Sequence, residues 1–118
     1  MTNANTSFRI AAVAGFLAVA FGAFGAHGLN PLLERNQMVE VWKTASSYHL
    51  IHAVVLLFVA NRIPYSKLAA GLFIAGIVLF SGSLYLLALT RVHWIGIITP
   101  FGGVAFLGGW LALAFQKK

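Results

Sequence analysis

Long apolar stretches limit what this chain can fold into more strongly than any other feature of its sequence. A helix needs about 20 apolar residues to cross the hydrocarbon core of a bilayer. Four stretches approach this length, at about residues 8–28, 44–61, 67–90 and 95–116. Only 8% of the 118 residues are charged, whereas soluble domains carry about 25%. The sequence therefore predicts an all-α integral membrane protein, a four-helix bundle that forms a single transmembrane domain over residues 1–118.

The longest polar connection joins the first and second stretches. Asn30-Pro31 is typical of a helix start, because proline is favoured at the first helical position. Apolar and polar side chains then fall on opposite faces up to about Trp42. This pattern predicts a short interfacial helix, from about Pro31 to Trp42, that lies in the headgroup plane. A solvated linker is the alternative.

Two other segments allow more than one interpretation. Thr99-Pro100 lies inside the fourth stretch, so either a helix begins there with Thr99 as its cap, which we prefer, or a longer helix is kinked at the proline. The first stretch has one feature of a secretory signal, because Arg9 precedes an apolar segment. That segment is longer than a usual signal core, and no soluble domain follows it. We therefore expect it to be a membrane span.

Basic residues exceed acidic ones by 8 to 2, which gives a net charge of +6. They stand singly or in pairs at the edges of the apolar stretches and form no patch with interleaved aromatic residues, so we predict no nucleic-acid partner. Cytoplasmic loops retain more lysine and arginine than external ones. We expect both termini in the cytoplasm, because five of these residues fall on that side, namely Arg9, Arg62, Lys67, Lys117 and Lys118.

The histidines are predicted to lie in one leaflet. With four spans, His27 ends the first, His49 and His52 lie in the first turns of the second, and His93 precedes the fourth. Residues three or four apart share a helix face, so Tyr48 and His49 are each expected beside His52. Imidazoles are costly to bury in lipid unless they are paired. Three roles stay open: mutual hydrogen bonding that locks the bundle, a metal, haem or quinone site, and a substrate or proton path.

Serine and threonine hydroxyls add to this polar group. Ser81 and Ser83 flank a glycine in the third stretch, but the chain contains no aspartate and both glutamates lie outside the spans, so a hydrolase triad is not expected. Such hydroxyls usually bond a backbone carbonyl or a neighbouring helix. The candidate residues for binding a ligand or partner are His27, Trp42, Tyr48, His49, His52, Ser81, Ser83, Tyr85 and Thr99. The metal alternative uses His27, His49 and His52.

Small residues recur along three of the stretches. Because lipid tails are as apolar as leucine, helices associate in a membrane through close contact of small residues and through polar bonds. The rows predict close helix packing, either within the bundle or between subunits, and they contain Ala11, Gly15, Ala18, Gly22 and Ala26, then Gly71 and Ala75, then Ala105, Gly108, Gly109 and Ala112.

Four collinear motifs resemble one known family. They are GAFGAHGL at 22–29, WKTASSYHLIHA at 42–53, LFSGSLY at 79–85, and ITPFGG at 98–103 followed by GW at 109–110. Together they are similar to the YgdD-like family of small bacterial inner-membrane proteins, a domain of unknown function with mitochondrial relatives. The resemblance implies four membrane helices, no cleaved signal and a place in the bacterial cytoplasmic membrane. It implies no reaction and no catalytic residues.

As function we predict a non-enzymatic accessory or scaffold subunit that binds a partner protein, lipid or small ligand. Its expected partners are the bilayer and either a second copy of the chain or a larger membrane complex, and no cofactor is expected. The first alternative is a redox or metal-binding protein that uses the histidines. The second is a small transporter or channel component.

Overall fold

Four long helices make up the protein, which confirms the predicted four-helix membrane fold. The computed structural model describes residues 3–117. Four helical segments in this part of the chain are long and apolar enough to span a membrane: Ala4–Ala26, Val39–Asn61, Lys67–Thr90 and His93–Ala114. We call them spans one to four. The molecule is 49 Å long and 25 Å by 22 Å across, and a bilayer with its headgroups is about 40–45 Å thick.

Two of the spans are interrupted. Span one is α1 (Ala4–Ala26), and span two is α3 (Val39–Asn61). Span three consists of α4 (Lys67–Gly76), a π-helical turn (Ile77–Ser81) and α5 (Gly82–Thr90). Span four begins with a 3-10 turn (His93–Ile97) and continues as α6 (Thr99–Ala114). The short helix α2 (Asn30–Arg35) links the first two spans.

The helix between spans one and two is shorter than the sequence pattern predicts. Instead of reaching Trp42 it ends at Arg35, because Gln37 adopts a left-handed conformation with φ of 59° and reverses the chain. Asn36 fixes this turn by donating a hydrogen bond from its amide to the Ala88 carbonyl in α5, at 3.0 Å. The next helix starts at Val39. Trp42 therefore belongs to span two.

The α-helix of span four begins where we preferred, but Thr99 does not cap it. α6 starts at Thr99 with Pro100 in its first turn. No side chain caps this helix, and the Thr99 hydroxyl instead pairs with Ser83 of α5 at 2.6 Å. A bond between spans has replaced the predicted local cap.

Each outer helix packs mainly against one neighbouring span. α1 runs along α3 and the adjacent α2, and it reaches span three through the Phe21 ring, which lies 5.1 Å from the Tyr85 ring. α3 also packs against the π-helical turn and α5, while α6 packs against α4 and the π-helical turn. α1 and α6 therefore leave wide faces that no other described helix covers.

Three glycines set the spacing between spans three and four, because each lies against a phenylalanine of the other span. A Cβ atom built on Gly76 would meet the ring of Phe106, and one on Gly109 would lie 2.7 Å from Cε1 of Phe73. A Cβ on Gly102 would meet the backbone of Phe80 in the π-helical turn. Each glycine thus admits a ring or a backbone that any other residue would push away.

The predicted row of small residues on α1 is divided between two environments. Ala11 and Ala18 are buried, on the helix that packs along α3. A Cβ atom on Gly15 or Gly22 would meet nothing within 4 Å. These two glycines therefore do not serve helix packing within one chain.

Candidate functional site

The polar residues of the spans form two groups of rings around α3. The Trp42 cluster contains Phe21, Trp42, His49 and Tyr85. The His52 cluster contains Tyr48, His52, Phe80, Phe106 and Trp110. At a rise of about 1.5 Å per residue, His49 lies about 15 Å and His52 about 20 Å from the first residue of α3.

The Trp42 cluster joins spans one, two and three. The indole Nε1 of Trp42 donates a hydrogen bond to the Phe21 carbonyl of α1 at 2.8 Å. A Cβ atom on Gly25 would collide with this indole, so glycine at that position is what lets the ring reach α1. The Tyr85 ring lies 4.6 Å from the Trp42 ring, centroid to centroid. Its hydroxyl bonds Nδ1 of His49 at 2.8 Å, which ties α5 to α3.

The His52 cluster joins spans two and four. Trp110 donates from its indole Nε1 to Nε2 of His52 at 3.2 Å. Because Nε2 accepts, the proton of a neutral imidazole sits on Nδ1, which donates to the Tyr48 carbonyl at 2.8 Å. The imidazole also stacks on the Phe106 ring, with centroids 3.7 Å apart. Both ring nitrogens of His52 are therefore occupied by hydrogen bonds.

The hydroxyl groups of span three bond as serines in membrane helices usually do. Ser81 donates to the Ala45 carbonyl of α3 at 2.8 Å. Ser83 donates its only hydroxyl proton to the Phe80 carbonyl at 3.0 Å. Thr99 is therefore the donor in the hydrogen bond between the Ser83 and Thr99 hydroxyls. These bonds link span three to spans two and four. In the described part of the chain, neither serine bonds a basic side chain that would activate it as a nucleophile.

The structure does not bring the four histidines together. His27 lies just after α1 and His93 begins the 3-10 turn, and both are exposed. His49 faces Tyr85 of α5, whereas His52 faces Trp110 of α6. Within residues 3–117 no three histidine or acidic side chains are close enough to share a metal ion. The alternative set His27, His49 and His52 therefore does not assemble.

The physical reason is that topology fixes depth but not direction. Residues three apart on a helix differ by about 60° around its axis, which is enough to point His49 and His52 at different spans. Tyr48 and His52, four apart, do lie together, with their rings stacked at 6.0 Å. Tyr48 itself remains 44% exposed.

Several residues of these clusters are not among the predicted candidates. Phe21 and Phe106 look like ordinary lipid-facing residues in the sequence, since nothing local marks them. Trp110 belongs to one of the quoted motifs, and its distance from His52 in the chain hides the bond between them. Glycine within a span was the available signal of a close ring contact, because Gly25 admits the Trp42 ring and Gly109 the Phe73 ring from another span.

A groove lies beside the Trp42 cluster, where the end of α1, the helix α2 and the start of α3 meet. It has a volume of about 480 Å³. Its wall includes Gly22, Asn30, Trp42, Lys43, Ser46 and Ser47. Only Trp42 among these was a predicted site residue. The groove arises from tertiary packing of three elements, so no single motif marks it.

Comparisons with known proteins confirm the family resemblance. The family model described as "Protein of unknown function (DUF423)" matches residues 21–103. The UPF0382 membrane protein YwdK of Bacillus subtilis is 44% identical over 110 residues, which cover 88% of this chain and 89% of the relative. The UPF0382 inner membrane protein YgdD of Escherichia coli is 42% identical over 105 residues, which cover 85% of this chain and 79% of the relative.

A third relative, a UPF0382 membrane protein of Haemophilus influenzae, is 39% identical over 115 residues, which cover 94% of this chain and 92% of the relative. No solved structure shows significant similarity to the chain. The match to the family extends over the Trp42 cluster and over most of the His52 cluster. The chain is a membrane protein and belongs to the DUF423 (UPF0382) family, whose function is unknown.

Proposed function

We propose that this protein is a non-enzymatic accessory subunit of a bacterial inner-membrane complex. The observation that carries the proposal is how the buried polar side chains of the spans are used. Trp42, His49, His52, Ser81 and Ser83 each make a hydrogen bond that crosses from one span to another. Together these bonds connect all four spans into one body.

This use of polar groups favours a structural role over a catalytic one. A catalytic acid, base or nucleophile must reach a substrate with an available atom. Here the imidazole of His52 has both nitrogens engaged, and Nδ1 of His49 is engaged by Tyr85. The redox or metal alternative is disfavoured for a second reason, because its three histidines lie apart within the described residues.

The outward face of α6 is the surface that we propose for the partner protein. α6 packs against span three and contacts span two through Trp110 and Phe106. Its other side exposes Phe101, Val104 and Leu107, each about two thirds accessible, at 66%, 65% and 66%. In the proposed complex this side packs against a helix of the partner. The arrangement of lysine and arginine supports cytoplasmic termini on both ends of the chain.

Photo-crosslinking in living cells tests this proposal. A photoreactive phenylalanine analogue at Leu107 or Val104 is expected to yield a protein adduct of one defined mass. The control position is Ile63, which is 92% exposed but lies in the loop between spans two and three. An adduct from Ile63 of the same mass and yield, or lipid adducts alone from both α6 positions, would contradict the proposal. An adduct that contains only this chain would make the protein a homo-oligomer instead.

A further inference from the structure

We propose that the groove between α1, α2 and α3 binds the phosphate-bearing headgroup of an anionic phospholipid. The groove measures about 480 Å³ and is distinct from the partner surface on α6. It combines a cation, three neutral hydrogen-bonding side chains and an apolar wall. This combination matches a lipid that presents a phosphodiester next to hydrocarbon.

The polar side of the groove is one face of α3. Lys43, Ser46 and Ser47 stand at positions i, i+3 and i+4, so they project in the same direction. All three line the groove. The Lys43 ammonium lies 3.6 Å from Glu40, but both side chains are well exposed, at 68% and 87%. Such an exposed pair is worth little, so Lys43 remains available to an anion.

Asn30 completes the polar lining from the opposite side. It is the first residue of α2, and its side-chain amide carries both a donor and an acceptor. α3 begins at Val39, which also lines the groove, and no side chain caps that end of the helix. Uncapped amides at a helix start favour an anion. The positive end of the α3 dipole therefore lies beside the groove, and Glu40 occupies the same first turn.

Ser46 supplies an independent observation. Its hydroxyl oxygen is buried and has no partner of good hydrogen-bond geometry in the described part of the chain, and the Tyr85 phenol, with which it interacts, already bonds His49. A buried hydroxyl without a partner costs about 1–3 kcal/mol. A ligand oxygen in the groove would satisfy it. Ser46 therefore keeps hydrogen-bonding capacity for a ligand oxygen in the groove.

The depth of the groove selects a lipid over a soluble phosphate. Lys43 lies about 6 Å and Ser47 about 12 Å along α3 from Val39, at about 1.5 Å per residue. The groove thus extends from the headgroup layer towards the hydrocarbon. Its wall also includes Gly22 and the indole of Trp42, which offer no charge. A phosphate at Lys43 would place its acyl chains beside this wall.

Gly22 provides a way to close the groove without disturbing the fold. A Cβ atom at Gly22 would meet nothing within 4 Å, so the side chain of Gly22→Leu would extend into the empty volume. Gly15→Leu is the matched control. Gly15 lies two helical turns earlier on the same side of α1, its Cβ would also meet nothing within 4 Å, and it does not line this groove.

The test is a lipid titration of the full-length protein in detergent, followed by native mass spectrometry. The probes are phosphatidylglycerol, which is anionic, and phosphatidylcholine, which is zwitterionic. We expect one saturable phosphatidylglycerol adduct, with an affinity that falls at least about tenfold in Gly22→Leu and stays unchanged in Gly15→Leu. Equal retention of phosphatidylglycerol by both variants, or the lack of any saturable adduct, would overturn the proposal.

Two further variants separate charge and hydroxyl effects. Lys43→Gln is expected to lower phosphatidylglycerol affinity about fivefold, the effect of one lysine near an anionic surface, and to leave phosphatidylcholine unaffected. Arg35→Gln, which removes a charge from the same side outside the groove, is the control. Ser46→Ala should melt at the same temperature as the parent or higher without lipid, yet bind phosphatidylglycerol more weakly. Unchanged binding by both Lys43→Gln and Ser46→Ala would refute the assigned contacts.

A soluble phosphate compound is the other ligand that could present a phosphate group to this groove. A large excess of inorganic phosphate or of glycerol 3-phosphate is added to the phosphatidylglycerol complex. We expect the lipid to stay bound, because the apolar wall contributes to its affinity. Displacement of the lipid by either soluble probe would assign the groove to a free phosphate and overturn the lipid proposal.

Discussion

Gly102 is the position where one added carbon should damage this fold most. Gly102 lies in the first turn of α6, against the π-helical turn of span three. A Cβ atom there would meet the amide nitrogen of Phe80 and would lie 2.7 Å from both the Phe80 Cα and the Leu79 carbonyl carbon. Carbon atoms normally approach to about 3.5–4.0 Å. The two helices would therefore have to separate by about 1 Å.

The destabilisation expected for Gly102→Ala depends on which atoms can move to relieve the contact. The obstructing atoms are backbone, so no change of rotamer relieves the contact, and overpacking of this kind costs about 1–3 kcal/mol. Separating the helices also stretches the hydrogen bond between Ser83 and Thr99, worth about 0.6 kcal/mol on average in a membrane protein. Alanine regains at most about 1 kcal/mol of helix propensity. We expect a net loss of about 2 kcal/mol in the free energy of unfolding.

Unfolding in mixed micelles, followed by circular dichroism as the denaturing detergent is increased, measures this loss. The control is Gly71→Ala in α4, where the new Cβ meets nothing within 4 Å and the variant should be as stable as the parent or more so. The reasoning fails if Gly102→Ala unfolds at the same detergent fraction as Gly71→Ala, because the close approach of α6 to the π-helical turn would then not exist.

Three other changes test the bonds between spans and the orientation. Tyr85→Phe removes the hydroxyl that bonds His49. In a double-mutant cycle with His49→Ala, the free energies of unfolding should show a coupling of about 0.6–1.7 kcal/mol, and additive effects would argue against the bond. Thr99→Val keeps the side-chain shape but loses the partner of Ser83, so it should destabilise by less than about 1 kcal/mol and leave the helix start intact by circular dichroism, whereas a loss of helix would mean that Thr99 acts as a cap. A fluorescent or enzymatic reporter that works only in the cytoplasm, fused after Lys118, should be active, and an inactive fusion would reverse the proposed orientation.

The sequence alone predicted the number of spans, because the bilayer core contains no water to satisfy backbone hydrogen bonds. In lipid every backbone group must bond internally, so an apolar stretch of sufficient length has to be a helix. The start of α6 at Thr99 was also predictable, since Pro100 suits the first turn and disrupts the middle of a helix. These are local consequences of residue type and length.

The direction in which each side chain points around its helix axis was not predictable in the same way. The topology placed His49 and His52 in one membrane layer, but which neighbour each imidazole meets depends on how the spans are rotated and arranged. Trp110 and Tyr85, both far from α3 in the chain, decide that the two histidines serve different clusters. The extension of α3 back to Val39 was missed for a different reason, because its first turns are polar and hydropathy gives no signal there.

What the amino-acid order determined by itself is therefore the number and approximate extent of the spans, since length and hydropathy act through the solvent and need no knowledge of neighbours. What only the tertiary structure decided is contact. The separation of the histidines, the ring pockets at Gly25 and Gly109, and the groove beside Lys43 all arise where residues distant in the chain meet. Such meetings depend on the packing of side chains between spans, which the bilayer does not dictate.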